Sequence, residues 1–441
     1  MIAIVVSRAD RASEHIGEHL LDLADWEEHG DDARPDADGG GTYYRTAGFE
    51  LRTFDELHIY AADPVPAFEA DPDLLLFVSR HSGDTGPLLT AHFTGNFGPA
   101  EYGGEPGRFA RACPNALAAL VDAFEDYAPG RYEVGVECTH HGPSEVEVPS
   151  MFVELGSAEP EWEDPEGARA VARAVLDLRG TSPDRERQLV GFGGGHYAPR
   201  FHRILRETPW AVGHVGSDWQ LEAMGDPSER RDVIRRAFEA SDAAHAVIDG
   251  DYPELEATIE DLGYRVASET WVREVGERPL DLVDRLEADL ATVDEGLRFG
   301  DRVPDDGAFA VVPLPDELLA EAQGVDADAA RGAVEANAVA FETEQGGTRA
   351  VGRAAVAEPA DRDALVDDLA AVLERKYDAV DREDGVVIAR ETAFDPAAAR
   401  ELGVPEGPAF GRLAAGESVE VDGAVVEPES VRRERTRKFP A

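Results

Sequence analysis

The sequence predicts an α/β fold, with a mostly parallel or mixed sheet flanked by helices and a smaller α+β domain at the C-terminal end. Short apolar runs alternate with segments in which apolar residues recur at helical spacing, which favours parallel strand pairing. The 441 residues suffice for two or three domains. All five tryptophans lie at or before Trp271, and the region after Leu290 is rich in Ala, Asp and Glu. We therefore expect a first domain over residues 1–285 and a second over residues 290–441.

Each element follows from a local pattern. Apolar runs predict strands at residues 2–6, 56–60, 74–78, 132–136, 189–192 and 211–213. Helical spacing of apolar residues, with Asn115 as a cap or Pro in the first turn, predicts helices at 13–23, after Asn115, at 165–178 and from Pro199. Residues 28–41 are polar and glycine-rich and are expected to form a loop. In the second domain we expect strands at 309–313 and 386–388 and a helix at 364–377.

The charge of the chain is extreme. The net charge is -49, and lysine occurs only at Lys376 and Lys438. Because apolar periodicity persists throughout, disorder is disfavoured, and a folded protein adapted to molar salt fits better. At ~1 M salt the Debye length is only ~3 Å, so repulsion among the carboxylates is screened.

Other compositional features indicate a soluble cytoplasmic protein. Cys113 and Cys138 make no disulfide framework. The apolar start is too short for a signal peptide, and no apolar stretch approaches the ~20 residues that span a membrane. A monomer is favoured, although the sequence leaves the oligomeric state open.

Histidine-bearing motifs follow four of the apolar runs. Seven of the 12 histidines fall between His81 and His214, and none lies beyond His245. Strand ends in an open α/β sheet converge on one crevice, and histidine is both a proton carrier and the commonest metal ligand. A hydrolytic or metal site is therefore predicted at that edge. The motifs are S-R-H-S-G-D-T-G-P at 79–87 with His92 close behind, E-C-T-H-H-G-P at 137–143, G-F-G-G-G-H-Y at 191–197 and G-H-V at 213–215.

The His140–His141 pair is the leading catalytic candidate. On an extended segment adjacent side chains point in opposite directions, so one would face the cleft while the other braces the loop. Glu137 and Thr139 would then share a face with His141, and a carboxylate beside an imidazole fixes its tautomer. A turn that merely needs a satisfied histidine is the structural alternative.

Metal-ligand candidates come from several motifs. Zinc takes three or four N, O or S ligands and leaves one position for water in a catalytic site. The candidate ligands are His81, Asp84, His92, His141 and His196, with Arg80 as a cation for substrate binding. No H-E-x-x-H or C-x-x-C motif is present, so the spacing alone is weak evidence for a metal, and acid–base work by the histidines stays open.

The glycine run before the helix at Pro199 is a candidate anion site. Backbone N–H groups of Gly193, Gly194 and Gly195 are predicted to hold an ester oxyanion or a phosphate, with Thr139 as a further donor. A tight strand–helix turn is the alternative.

The remaining histidines and the thiol carry weaker signals. His214 is equally a ligand or a satisfied histidine, and Cys138 alternates with Glu137 and is expected to face away from the cleft. The histidines without a motif are expected at the surface; they are His15, His19, His29, His58 and His245.

The four motifs, in this order and spacing, resemble the archaeal and plant type of D-aminoacyl-tRNA deacylase, and the resemblance runs from Met1 to roughly Arg278. It implies a zinc-dependent esterase that frees tRNA from D-amino acids, with D-aminoacyl-tRNA bound by its acceptor end. It does not say which histidine binds metal. Two alternatives stay open: a zinc amidohydrolase or phosphorylase-like enzyme acting on a small metabolite, and a non-catalytic tRNA-binding protein.

The C-terminal region carries two further signals. Residues 403–413 and Gly416 resemble the G-x-P-x-G-P-x-x-G-x-L segment of tRNA 3′-processing endonucleases. The basic run at 432–438 is either a phosphate contact arm or a disordered tail that docks on the acidic surface. We therefore expect an accessory domain that helps to hold tRNA.

Overall fold

The computed structural model of the protein describes residues 1–61, 63–305 and 307–441, in two compact units, Met1–Gly276 and Glu277–Ala441. The helix Leu280–Asp289 lies in the second unit, whereas the sequence analysis placed residues up to 285 in the first. The composition shift near Arg278, after the last tryptophan at Trp271, lies close to this boundary, while the helix itself is an ordinary amphipathic one with Leu282, Val283 and Leu286 buried. Within the described residues, no helix is both long and apolar enough to cross a membrane.

The first unit alternates strands and helices, which confirms the α/β class. Its strands are β1 (Ile2–Ser7), β2 (Glu27–Asp31), β3 (Gly41–Thr46), β4 (Phe49–Phe54), β5 (Leu74–Arg80), β6 (Leu88–His92), β7 (Glu133–Val136), β8 (Ser150–Gly156), β9 (Gln188–Gly193), β10 (Ala211–Gly216), β11 (His245–Asp249) and β12 (Arg265–Val266). Its helices are α1 (Arg11–Leu23), α2 (Pro114–Tyr127), α3 (Glu159–Trp162), α4 (Pro165–Asp177), α5 (Pro199–Glu207), α6 (Asp218–Met224), α7 (Arg231–Ala240), α8 (Pro253–Asp261) and α9 (Glu269–Val275), with 3-10 turns at His58–Tyr60 and Val65–Ala67.

Two sheets form the core of this unit. The larger is mixed, with strand order β2-β3-β4-β1-β5-β8-β6-β7, and the smaller is parallel, with order β10-β9-β11-β12. The central strands β1 and β5 are almost continuously apolar and buried on both faces, as expected where helices cover a parallel sheet. α1 and α4 pack against each other, and α1 also contacts β5.

Three local predictions for this unit were wrong. Residues 28–41 include the exposed edge strand β2, whose polar residues carry no apolar alternation. The strand predicted at 56–60 is a 3-10 turn, and the true strand β4 precedes it. Asn115 is not the cap of α2, which begins after Cys113; its side chain bonds Arg185 and the Ser182 carbonyl instead.

The second unit is α+β. Strands β13 (Leu297–Phe299), β15 (Ala340–Glu344), β16 (Arg349–Val356) and β14 (Ala310–Pro313) form an antiparallel sheet in that order. The remaining strands are β17 (Ala379–Glu383), β18 (Val386–Phe394), β19 (Val419–Val421), β20 (Ala424–Val426) and β21 (Arg432–Pro440). The helices are α10 (Leu280–Asp289), α11 (Asp316–Val325), α12 (Ala327–Asn337), α13 (Pro359–Leu373), α14 (Pro396–Glu401) and α15 (Pro408–Ala414), with a 3-10 turn at Pro428–Val431.

The basic run is not a disordered tail. It forms the edge strand β21, which pairs antiparallel with β18 from Arg432 to Pro440. Phe439 is buried and anchors the strand in the core, while Arg437 forms an ion pair with Glu321. Arg433 and Arg435 are exposed along the same strand. Both faces of the strand are exposed over residues 433–438, so most of the basic run lies at the surface.

Candidate active site

Three of the four predicted histidine motifs meet at one cavity of about 780 Å³ in the first unit. The segment after β7 builds it by joining the ends of both sheets. Glu137 N–H donates to the carbonyl of Ala91, and Cys138 N–H donates to that of His196 at 2.8 Å. Thr139 N–H then donates to the carbonyl of Val215, also at 2.8 Å. The backbone of three consecutive residues thus fixes the position of the histidine pair that follows.

His140 and His141 face the same cavity, which corrects the prediction that they point in opposite directions. Their ring centroids are 4.5 Å apart, and both side chains line the cavity. The cause is a left-handed backbone at His141, with φ +46°, which ends the extended segment. The alternation of side chains along an extended segment therefore does not apply across this turn.

Hydrogen bonds determine which ring nitrogens are free. The Nδ1 atoms of His140, His141 and His92 lie 2.8, 2.8 and 3.0 Å from the carbonyl oxygens of Cys138, Gly142 and Phe93, respectively. A carbonyl oxygen only accepts, so each Nδ1 carries a proton and donates it. Each neutral ring therefore keeps the lone pair on Nε2, and this backbone support is typical of metal-binding histidines.

Three groups of side chains at or directly behind the cavity wall have the geometry of metal ligands. In each group one potential ligand atom per residue lies within 4.8 Å of the others. The first group combines the three histidines whose Nε2 atoms are free. The groups are His92, His140 and His141; Cys138, His140 and His196; and His81, Glu137 and Glu154.

Glu137 is the carboxylate at the centre of these groups. Its Oε2 accepts a hydrogen bond from His196 Nε2 at 2.7 Å and lies 3.8 Å from His140 Nε2. Its Oε1 lies 3.2 Å from His81 Nδ1 but forms no hydrogen bond with the described residues. Burial alone would raise the pKa of Glu137, but the hydrogen bond from His196 and the nearby His81 ring hold that pKa well below its usual range. Glu137 is therefore an ionised carboxylate inside the cavity.

Glu154, which the sequence analysis missed, is a second buried carboxylate on β8. It accepts a hydrogen bond from Ser79 Oγ at 2.8 Å, and it lies 3.5 Å from His81 and 3.6 Å from His92. Burial opposes its ionisation, but His81 and His92 lower its pKa to about 2. The available signal was a single charged residue in the buried run S-M-F-V-E-L-G, because a buried carboxylate requires a partner.

The histidines fall into two electrostatic classes. Burial and the nearby His92 lower the pKa of His141 to about 4, and the same causes hold the pKa of His140 well below its usual value. Burial by itself would also lower the pKa of His81 and His196. Carboxylate contacts outweigh it at His81 and raise its pKa to about 9, while Cys138 and Glu137 raise that of His196 to about 10. Neutral imidazoles and imidazolium ions therefore stand side by side.

Three of the predicted site residues, Asp84, Thr139 and His214, do not line the cavity. Asp84 is exposed and belongs to none of the ligand groups found in the described residues. Thr139 is buried, and its Oγ1 bonds His214 Nδ1 and the Val215 N–H. His214 also contacts the Ala110 carbonyl at 2.8 Å through Nε2, so it is a satisfied core histidine.

The glycine run is a structural turn. A Cβ at Gly193 would lie 2.2 Å from the Asp249 carbonyl oxygen, so this position requires glycine. The carbonyl of Gly194 accepts a hydrogen bond from the N–H of Asp218. A Cβ added at Gly195 would meet no atom of the described residues within 4 Å. None of the three glycines lines the cavity. Arg200, in the following helix, bonds Asp249 and Glu269.

One histidine differs from its predicted place, and Arg80 lies at the cavity. Cys138 does not line the cavity, but its Sγ contacts His196 Nδ1 at 3.5 Å. His58 was expected at the surface, but it is buried, lines the cavity and has its pKa lowered to about 4 by burial. Arg80 lines the cavity and lies over the Trp162 ring at 5.3 Å.

Comparisons with known proteins agree with the site. The family model described as D-aminoacyl-tRNA deacylase matches residues 68–267, which include every cavity histidine except His58. Proteins named D-aminoacyl-tRNA deacylase are 63% identical over 476 residues in Halorubrum lacusprofundi, with 100% of this chain and 97% of the relative covered. In Natronomonas pharaonis such a protein is 59% identical over 440 residues, and both chains are covered completely.

A more distant relative also matches over nearly the full chain, and a solved structure matches over part of it. A protein of that name from Methanococcoides burtonii is 33% identical over 478 residues, which cover 99% of this chain and 95% of the relative. A crystal structure of a conserved protein of unknown function superposes with a TM-score of 0.56 at 32% identity, covering 62% of this chain and 96% of that chain. Relatives that match the full chain decide among the alternatives left open by the sequence. The chain therefore belongs to the D-aminoacyl-tRNA deacylase family, whose reaction is hydrolysis of the ester bond between a D-amino acid and tRNA.

Proposed function

We propose that the cavity around Glu137 is where D-aminoacyl-tRNA is hydrolysed, with the D-aminoacyl ester of the acceptor end inside it. The observation that carries this proposal is the convergence of three overlapping ligand groups on one cavity. The chemistry of the donor set fits a zinc ion, because neutral imidazoles and carboxylates are ligands that zinc prefers. Two buried atoms, His92 Nε2 and Glu137 Oε1, form no hydrogen bond with the described residues, and this supports the same conclusion.

His92, His140 and His141 are the proposed zinc ligands. Their protonated Nδ1 atoms are held by backbone carbonyls, which leaves Nε2 for the metal. Because the metal would take up its free Nε2, we assign His141 to binding and not to general-base catalysis. Zinc, when bound, supplies a Lewis acid that polarises the ester carbonyl and lowers the pKa of water.

The proton steps are assigned to the other side chains. Glu137 stays ionised, and its Oε1 is free to accept a proton from the attacking water. His81 and His196 are protonated near neutral pH and stabilise the negative charge that develops on the carbonyl oxygen. The leaving group is a ribose hydroxyl, which is an alcohol and needs little help from a strong acid. Arg80 at the cavity wall is available for the substrate.

The roles predicted for other residues change accordingly. Thr139 positions the histidine pair through His214 and Val215, and we no longer assign it to the oxyanion. Gly193, Gly194 and Gly195 shape the end of β9. Asp84 is not among the proposed ligands.

The second unit is proposed to assist binding of tRNA. The exposed basic strand β21 supports this role, since cations contact phosphate. Because charged tRNA is the substrate, we also propose that the protein acts in the cytoplasm, at molar salt and as a monomer.

The deciding experiment is incubation with D-tyrosyl-tRNA and L-tyrosyl-tRNA in molar KCl, with and without a chelator. Release of D-tyrosine that stops on chelation and returns with zinc is the expected result. A rate unaffected by exhaustive chelation, verified by elemental analysis, would show that the histidines act without metal.

A further inference from the structure

Exposed aromatic side chains surround the mouth of the histidine cavity. Among the residues that the structure describes, four large aromatic side chains are exposed: Tyr60, Tyr102, Tyr197 and Trp219. Tyr102 and Trp219 line the cavity and are 64% and 52% exposed. Tyr197 contacts His81 Nε2 through its hydroxyl at 3.3 Å, and Tyr60 follows the cavity residue Ile59. Exposed apolar side chains that cluster at the rim of a cavity, unlike single scattered ones, mark a site of interaction.

Tyr102 and Trp219 are fixed relative to the catalytic turn. The carbonyl of Tyr102 accepts a hydrogen bond from the N–H of Gly142 at 3.0 Å, directly after the histidine pair. Trp219 lies in the first turn of α6, and the neighbouring Gln220 is buried and bonds the Thr139 carbonyl. The rings therefore stand at a set position next to the reacting groups, although they belong to different segments.

The charge around the cavity restricts what these rings contact. Arg80 is the one arginine or lysine among the lining residues, and Asp10 and Glu101 also line the wall. In a chain of net charge -49 there is little here to bind a phosphodiester backbone. Aromatic faces stack on any nucleobase, and stacking does not depend on charge.

We infer that Tyr102 and Trp219 form a stacking site for the unpaired nucleobases at the 3′ end of tRNA, next to the ester in the cavity. Trp219 also lines a second cavity of about 690 Å³, together with Tyr252 and Pro253. This inference rests on the proposed position of the ester.

Binding of the trinucleotide CCA in molar KCl tests the inference without any chemistry. Trp219→Ala and Tyr102→Ala should each weaken binding by about tenfold, as expected for loss of one stacked base. Trp219→Phe and Tyr102→Phe keep a ring and should stay close to wild type. Leu402→Ala, which removes an exposed apolar side chain from the second unit, is the matched control. Wild-type affinity in both alanine variants would overturn the inference.

Fluorescence gives a second readout in the unmodified protein. Stacking should quench Trp219, whereas Trp210 and Trp271 are buried and should not respond. The quenching should disappear in Trp219→Phe, and an abasic ribose-phosphate trimer should cause none. Absence of quenching at saturating CCA would contradict the stacking site even if an alanine variant failed to fold. Self-association that requires Trp219 would show that the rings serve an interface between copies of the chain, and would likewise overturn the inference.

The enzyme assay separates this inference from the catalytic assignment. In Trp219→Ala the KM for D-tyrosyl-tRNA should rise about tenfold while kcat at saturation stays within about twofold of wild type. If the assignment of the cavity chemistry failed instead, CCA would still bind and quench Trp219. A fall in kcat with an unchanged KM would contradict the stacking role.

Discussion

Glu137 and His196 are joined by a 2.7 Å hydrogen bond, although they follow strands of different sheets. Glu137 follows β7 of the mixed sheet, and His196 follows β9 of the parallel sheet. The adjacent backbone bond from Cys138 N–H to the His196 carbonyl holds the two segments together. The active site therefore depends on how the two sheets meet, and it is not built by one strand end alone.

Glu137→Gln should lower kcat by about 10²- to 10⁴-fold with the fold retained, because an amide cannot accept the proton from water. Steady-state assays on D-tyrosyl-tRNA and circular dichroism check this. Glu133→Gln removes an exposed carboxylate from the same strand and should leave the rate unchanged. A Glu137→Gln enzyme with near wild-type kcat would remove Glu137 from the mechanism.

His141→Ala should abolish most activity and reduce bound zinc, since one of the three proposed ligands is lost. Zinc content by elemental analysis, before and after dialysis, is the measurement that separates a ligand from a proton carrier. His29→Ala, on an exposed edge strand, is the control and should keep both the activity and the bound zinc. Full zinc content with lost turnover would reassign His141 to acid–base work.

The zinc-free protein should lose stability as pH rises. The pKa of His81 is about 9 and that of His196 about 10 in the fold, against an ordinary value of 6.5. A raised folded pKa contributes stability fully below about 6.5, and this contribution is lost as pH rises through 9 to 10. Thermal melts at pH 6, 8 and 10 with chelator should show the decline, and His81→Asn should flatten it. If the melting temperatures of the wild type and of His81→Asn fell equally with pH, His81 would not be the source of the lost stability.

Lowering KCl from molar to ~0.1 M should unfold or strongly destabilise the protein. The net charge of -49 then repels over ~10 Å, whereas at ~1 M the screening length is ~3 Å. A circular dichroism melt recorded at several KCl concentrations is the test. Melting temperatures that do not change with salt would show that the acidic surface is not destabilising.

Reversing the exposed charges of β21 should raise KM for charged tRNA severalfold and leave kcat unchanged. The double change Arg433→Glu and Arg435→Glu removes cations that face solvent, and buried Phe439 should keep the strand in place. The double change Arg375→Glu and Arg400→Glu, at two other exposed arginines of the same unit, controls for net charge. A KM equal to that of the control would mean that β21 does not contact tRNA.

The sequence by itself determined the fold class and the place of the site. Apolar runs such as β5 encode buried strands directly, because burial on both faces requires continuous apolar residues. The histidine motifs follow such runs, so the convergence of His81, His140 and His196 on one crevice was predictable from topology rules.

Only the tertiary structure decided which residues share the cavity and in what state. The left-handed turn at His141 brings both histidines to one side, and no local pattern encodes its φ. Glu154 and His58 enter the site through sheet pairing and packing between distant segments. Protonation depends on these same contacts, since burial lowers the pKa of His141 while carboxylates raise that of His81. Long-range geometry sets these quantities, and residue spacing along the chain carries no information about it.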